Sequence, residues 1–163
     1  MYRAFLTLSL LICAGPAMAT HEILADRILV EKSRHLLTLF SHGEVLHRYE
    51  IALGSGGLAP KRRQHDNLTP EGSYFIDGRN ANSGYHLSLH ISYPNARDTA
   101  LAEARGVSPG GDIMIHGLPN GNGWIGANHS QHDWTSGCIA TTDEEIEEIW
   151  RRVPDGTPIV IKP

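Results

Sequence analysis

Cysteine is scarce. The 163 residues hold two, Cys13 and Cys138, which excludes a scaffold stapled by several disulfides. Long apolar runs are scarce too. The one sustained stretch, "AFLTLSLLICAG" behind Arg3, falls short of the roughly 20 residues that span a bilayer. It is followed by Ala17-Met18-Ala19, a small-x-small pattern. Residues 1–19 therefore read as a signal peptide cleaved near Ala19-Thr20. Cys13 has Ile12 before it, not the small residue of a lipoprotein processing site. The expectation is an exported, soluble chain, periplasmic or secreted, without a membrane span. Positive charge is not in excess: Lys and Arg total 14 against 18 Asp and Glu, a net charge of -4, and loss of Arg3 makes it more negative. Nothing suggests a nucleic-acid partner. Internal repeats and low-complexity tracts are absent.

Residues 20–163 suit one monomeric domain that buries about two-thirds of its unfolded surface and needs no covalent staples. Past the leader Cys138 stands alone, so no internal disulfide forms there. A lone thiol in an oxidising compartment is open to oxidation or intermolecular pairing. It reads either as a buried small hydrophobe or as a nucleophile, and the thiol by itself leaves both open.

The N-terminal third predicts strands. "DRILVEK", "HLLTLFS" and "EVLHRYEIAL" are rich in Val, Leu, Ile, Tyr and Phe and are separated by Ser-Arg and His-Gly breaks, the pattern of an antiparallel meander. A long loop, "GSGGLAPKRRQHDNLTPEG", closes on a turn at Thr69-Pro70-Glu71-Gly72. Strands follow at "SYFID" and "YHLSLHISY", then a helix at "NARDTALAEARG" ending at Gly106. "GDIMIHG" predicts a short strand ending at His116-Gly117. The Gly- and Asn-rich residues 118–134 predict a loop. Thr142 with Glu145 three residues on reads as a capping box. Ile146, Ile149, Trp150 and Val153 share one helical stripe before a closing strand "TPIVIKP".

A cysteine nucleophile needs a base and donors for the oxyanion formed when it attacks a carbonyl. His116 at a strand end is a candidate base, and the Gly137-Cys138 backbone supplies candidate donors. At this point the ordered set "TPEGSYFI", "YHLSLHISYPN", "GGDIMIHG", "SGCIATTDEEIEEIW" and "DGTPIVIKP" resembles the L,D-transpeptidase (YkuD-type) catalytic domain, in particular its YafK-like branch, from about Asp26 to Pro163. The resemblance implies a mainly β, β-rich α+β fold: a sandwich or partial barrel with two peripheral helices. It implies cysteine acyl transfer on peptidoglycan stem peptides, with no cofactor and no metal. Cys138 becomes the nucleophile, His116 the general base and later acid, and the Gly117 carbonyl the group that fixes the imidazole tautomer. The oxyanion donors become the N–H groups of Cys138 and Gly137.

Family members often carry His at the position of Ser136 and Arg at that of Ala140, so the contacts of those side chains are absent or relocated here. Substrate contacts are expected from Ser136, from Tyr85 and His86 at the start of the polar-faced strand, and from Arg79. Lys61, Arg62 and Arg63 are further cations for stem carboxylates. The acyl acceptor is a stem amine, a lysine of a wall-linked lipoprotein, or water. Water would make the protein an L,D-carboxypeptidase or amidase-type hydrolase. Two rivals remain: a zinc site drawn from His116, His129, His132 and Asp133, and a non-catalytic wall-binding module.

Overall fold

The computed structural model describes residues 22–163. The expected signal peptide, its cleavage point and Cys13 lie outside the described residues. Period-two patterning becomes sheet where it was expected. Strand β1 (Arg27–Glu31) buries Ile28 and Val30, β2 (Leu36–Ser41) buries Leu37 and Leu39, and β3 (Glu44–Glu50) buries Tyr49. Strand β4 (Gly72–Ser83) is followed by β5 (His86–Ile91), helix α1 (Ala96–Glu103) and β6 (Met114–His116). The two-residue β7 (Ile139–Ala140), helix α2 (Asp143–Arg152) and β8 (Pro158–Lys162) complete the chain.

The eight strands form one curled sheet in the order β3-β2-β1-β8-β4-β5-β6-β7. Register explains why the middle is stable: Leu39, Ile28, Ile159 and Tyr74 pair in one row across four strands. All four are essentially buried, and each aliphatic member contributes about 1.5–3 kcal/mol by leaving water. The curl brings the two ends of the order together. Just past β3, Ala52 bridges Ala140 of β7, with N–H···O distances of 3.0 and 2.9 Å in the two directions. Gly54 bridges Thr135 beside it. The result is the expected partial barrel.

Helix α2 forms as its sequence predicts. Thr142 Oγ1 accepts from the Glu145 N–H and the Glu145 carboxylate accepts from the Thr142 N–H, a complete capping box. Ile146, Ile149 and Val153 are buried against the sheet. Helix α1 is capped in the same way by Asn95 and Asp98.

Two elements differ from expectation. Strand β4 starts one residue before the expected Ser73–Asp77 and continues six residues beyond it, because the polar stretch up to Ser83 pairs with β5 through an irregular register; its Gly and Asn composition conceals a strand that only the neighbour creates. Within the expected loop, residues Gly123–Gln131 wind into 3-10 turns, interrupted at Gly126 (φ 52°, ψ -140°).

The long loop between β3 and β4 is held from beneath. The buried Lys32 ammonium donates to the carbonyls of Ala59 and Thr69, both at 3.0 Å, and to Glu71 Oε1 at 2.9 Å. The Asp66 carboxylate accepts from Lys61 Nζ and from the N–H groups of Arg62, Arg63 and Leu68. A segment without regular structure thereby has fixed geometry beside the thiol.

Candidate active site

Parallel pairing of β6 with β7 sets Ile115 opposite Ile139 and His116 opposite Ala140. Side chains alternate along a strand, so Cys138, two residues before Ala140, shares a face with His116. Both line one cleft of about 260 Å³, with Ser83, Tyr85, Trp134 and Ser136 among its walls.

His116 is 4 % exposed. Its Nδ1 lies 2.7 Å from the Gly117 carbonyl oxygen. A carbonyl only accepts, so Nδ1 carries the proton and Nε2 is left with the lone pair a general base needs. Tyr85 packs on the imidazole at 4.5 Å between ring centroids, and Trp134 meets it edge-on at 5.7 Å. Burial pushes the imidazole below the ordinary histidine value; the Gly117 bond opposes this, and His129 adds to the lowering.

Gly117 itself is required by packing. A Cβ there would lie 2.7 Å from Asp143 Oδ1, the atom that accepts the Leu118 N–H at 2.8 Å. The start of α2 is thus docked on the His-Gly turn.

The Cys138 thiol is partly exposed, and its Sγ is 3.5 Å from the Asp112 carbonyl oxygen. Burial pushes the thiol up, the Met114 N–H lowers it, Asp112 raises it and Lys61 lowers it. Burial thus shifts both groups toward their neutral forms in the cleft they share. A thiol and an imidazole in one cleft have the chemistry of a nucleophile and a general base.

The turn before the thiol is shaped by Thr135, 5 % exposed. Its hydroxyl donates to the Cys138 carbonyl at 2.8 Å and accepts the Gly137 N–H at 3.1 Å. Gly137 has φ +127°, and a Cβ there would stand 2.7 Å from the Leu68 carbonyl oxygen, so only glycine fits without strain. The Gly137 N–H, one of the two expected oxyanion donors, has a partner within the turn. It is committed to Thr135, which leaves the Cys138 N–H as the expected donor without that commitment.

Ser136 and Tyr85 are brought to the cleft; His86 and Arg79 are not. His86 Nε2 meets Glu147 of α2 at 2.8 Å. The chain takes a positive φ of 64° at His86. Arg79 bonds Asp155 Oδ1 at 2.6 Å and the Trp150 carbonyl at 2.7 Å, contacts the Val153 carbonyl, and lies over the Trp150 ring. It closes the C-terminal end of α2, where free carbonyls attract a cation. Ala140 is fully buried between its partners Ala52 and His116, so no group there reaches solvent.

The zinc rival finds no assembled ligand set: among the described residues no three His, Cys, Asp or Glu side chains gather around one point. Asp133 instead accepts the Leu53 N–H at 2.8 Å and pairs with His35 at 3.1 Å. Also among the described residues, no helix is long and apolar enough to cross a membrane.

Trp134, Thr135 and Asp112 were not among the residues expected from sequence. Thr135 carried a legible signal, a hydroxyl residue two positions before a glycine, the pattern of a local side-chain turn. Trp134 and Asp112 carried none.

Comparison with known proteins agrees with this geometry. The profile of the YkuD family, described as the L,D-transpeptidase catalytic domain, matches residues 25–161. The chain is 35% identical over 113 residues to "Putative L,D-transpeptidase YafK" of Escherichia coli (strain K12); the match covers 68% of this chain and 38% of that protein. In fold it is similar to the helical cell shape determining protein Pgp2 from Campylobacter jejuni (TM-score 0.64, 23% identity, 85% of this chain and 47% of that one). It is also similar to an L,D-transpeptidase from Mycobacterium smegmatis (TM-score 0.56, 15% identity, 85% and 59%). The chain thus spans well under half of its curated relative and about half of the first of these structures.

Proposed function

Because this chain belongs to the YkuD family of L,D-transpeptidase catalytic domains, we propose that it is an exported cysteine acyltransferase acting on peptidoglycan stem peptides through Cys138 and His116. The observation that carries the reading is the shared cleft lined by Cys138 and by His116, whose Nδ1 is engaged by the Gly117 carbonyl so that Nε2 is left free.

The steps follow from the two neutral groups. Cys138 Sγ attacks the carbonyl carbon of a stem amide while its proton passes to His116 Nε2. The carbonyl oxygen takes the negative charge, stabilised by the Cys138 N–H. Collapse breaks the C–N bond, the leaving amine takes the proton from His116, and a thioester remains on Cys138. An acceptor amine then attacks the thioester carbonyl and gives its proton to His116. The departing sulfur recovers that proton. With water as acceptor the same steps give hydrolysis.

Incubating a purified tetrapeptide muropeptide with the enzyme and weighing the products by mass spectrometry tests the reading. Cross-linked dimers identify transfer to a stem amine, peptide attached to a protein lysine identifies anchoring, and a shortened stem identifies water. Cys138→Ala should abolish all three; turnover unchanged in that variant would refute Cys138 as the nucleophile, and binding without any turnover by the unaltered protein would favour a non-catalytic wall-binding module.

A further inference from the structure

Three clefts lie in series on this face. The thiol cleft shares Asp112, Ser136 and Cys138 with a second of about 270 Å³, which reaches Lys61. Lys61 in turn lines a third, about 330 Å³, between the long loop and α1, where Arg62, Arg97 and Arg105 converge around Leu101. The other charges in this third cleft are already engaged. Lys61 is 2.8 Å from Asp66, Glu71 holds the buried Lys32, and Asp98 accepts from Tyr74 Oη at 2.9 Å and from the Asn95 N–H.

The three arginines are not engaged in this way. Among the described residues Arg34, Arg79, Arg151 and Arg152 each meet a carboxylate, whereas Arg27, Arg48, Arg62, Arg63, Arg97 and Arg105 meet none; of these six, Arg62, Arg97 and Arg105 line one cleft together. Arg105 bonds only the Leu101 carbonyl, at 3.2 Å. On a chain of net charge -4, three guanidinium groups without a carboxylate partner thus line one cleft. Such a cluster is complementary to a planar anion, which it can bind in bidentate fashion.

We propose that Arg62, Arg97 and Arg105 form a carboxylate subsite at the far end of the reaction groove, taking the acidic groups of a peptide whose scissile amide lies at Cys138. This inference rests on the acyl-transfer reading for the identity of the peptide. Lys61, fixed by Asp66, links the two ends of the path. The exposed Leu101 offers an apolar surface for the aliphatic part of an acidic residue.

The test uses Cys138→Ala protein, which holds substrate without turnover, and fluorescence anisotropy of a labelled tetrapeptide stem in two forms, with carboxylates free and with carboxylates amidated. Adding Arg62→Gln, Arg97→Gln and Arg105→Gln together should weaken binding of the free acid about tenfold and flatten its salt dependence. It should leave the amidated peptide unaffected. Arg34→Gln, Arg48→Gln and Arg151→Gln together, three exposed cations outside these clefts, remove the same charge and should change neither. Equal binding of the free acid by the triple variant and its parent overturns the subsite, and so does an equal loss for both peptides. With Cys138 restored, the triple variant should raise KM and spare kcat. Absence of product even from the unaltered enzyme, with the binding difference intact, would indict the chemistry and leave the subsite standing.

Discussion

Thr135→Val removes one hydroxyl and keeps the side-chain shape, so it isolates what that hydroxyl does for the thiol turn. The hydroxyl sits at the centre of two short contacts, to the Cys138 carbonyl and from the Gly137 N–H, in a residue almost wholly removed from water. Losing both leaves a carbonyl and an N–H without partners, at about 1–3 kcal/mol for each group that water cannot reach. A total of about 2–6 kcal/mol is expected, which for a domain of this size lowers Tm by about 5–20 °C. Chemical denaturation followed by fluorescence gives the free energy directly. Iodoacetamide labelling of Cys138 under native conditions reports whether the turn still presents the thiol in the same way. Thr135→Ser restores the hydroxyl and should recover all but about 1 kcal/mol. A Thr135→Val protein within about 1 kcal/mol of the parent, with unchanged labelling, would refute the assignment of this turn to Thr135.

Three further outcomes are expected. Since burial holds the Cys138 thiol above its ordinary range and the His116 imidazole below its own, labelling of the free enzyme should keep rising with pH beyond the usual thiol region near 8.5. The acid limb of kcat/KM should fall below the usual histidine region, because His116 stays unprotonated to lower pH; a labelling plateau at neutral pH would mean a standing thiolate and would contradict this. Lys32→Met strips the cation from Glu71 and the donor from two loop carbonyls. A loss of about 3–5 kcal/mol by denaturant titration is expected, whereas a change below about 1 kcal/mol would show that the loop is held by other means.

The sequence by itself determined the elements whose information is local. Alternating apolar residues specified β1, β2 and β8, and Thr142 with Glu145 and the Ile146-Ile149-Val153 stripe specified α2, because backbone periodicity and capping act over a few residues. The lone Cys138, the His116-Gly117 strand end and the Ser-Gly-Cys turn were legible for the same reason: each is a short pattern with a chemical meaning. Only the tertiary structure decided what depends on residues far apart in the chain. It set Cys138 and His116 on one face through the β6–β7 register and committed the Gly137 N–H to Thr135. It drew His86 to Glu147 and Arg79 to the end of α2, although both had the chemistry of substrate contacts. Composition says which groups a residue can satisfy. The choice among partners follows from which of them the curled sheet brings within about 3 Å, and no local pattern encodes that distance.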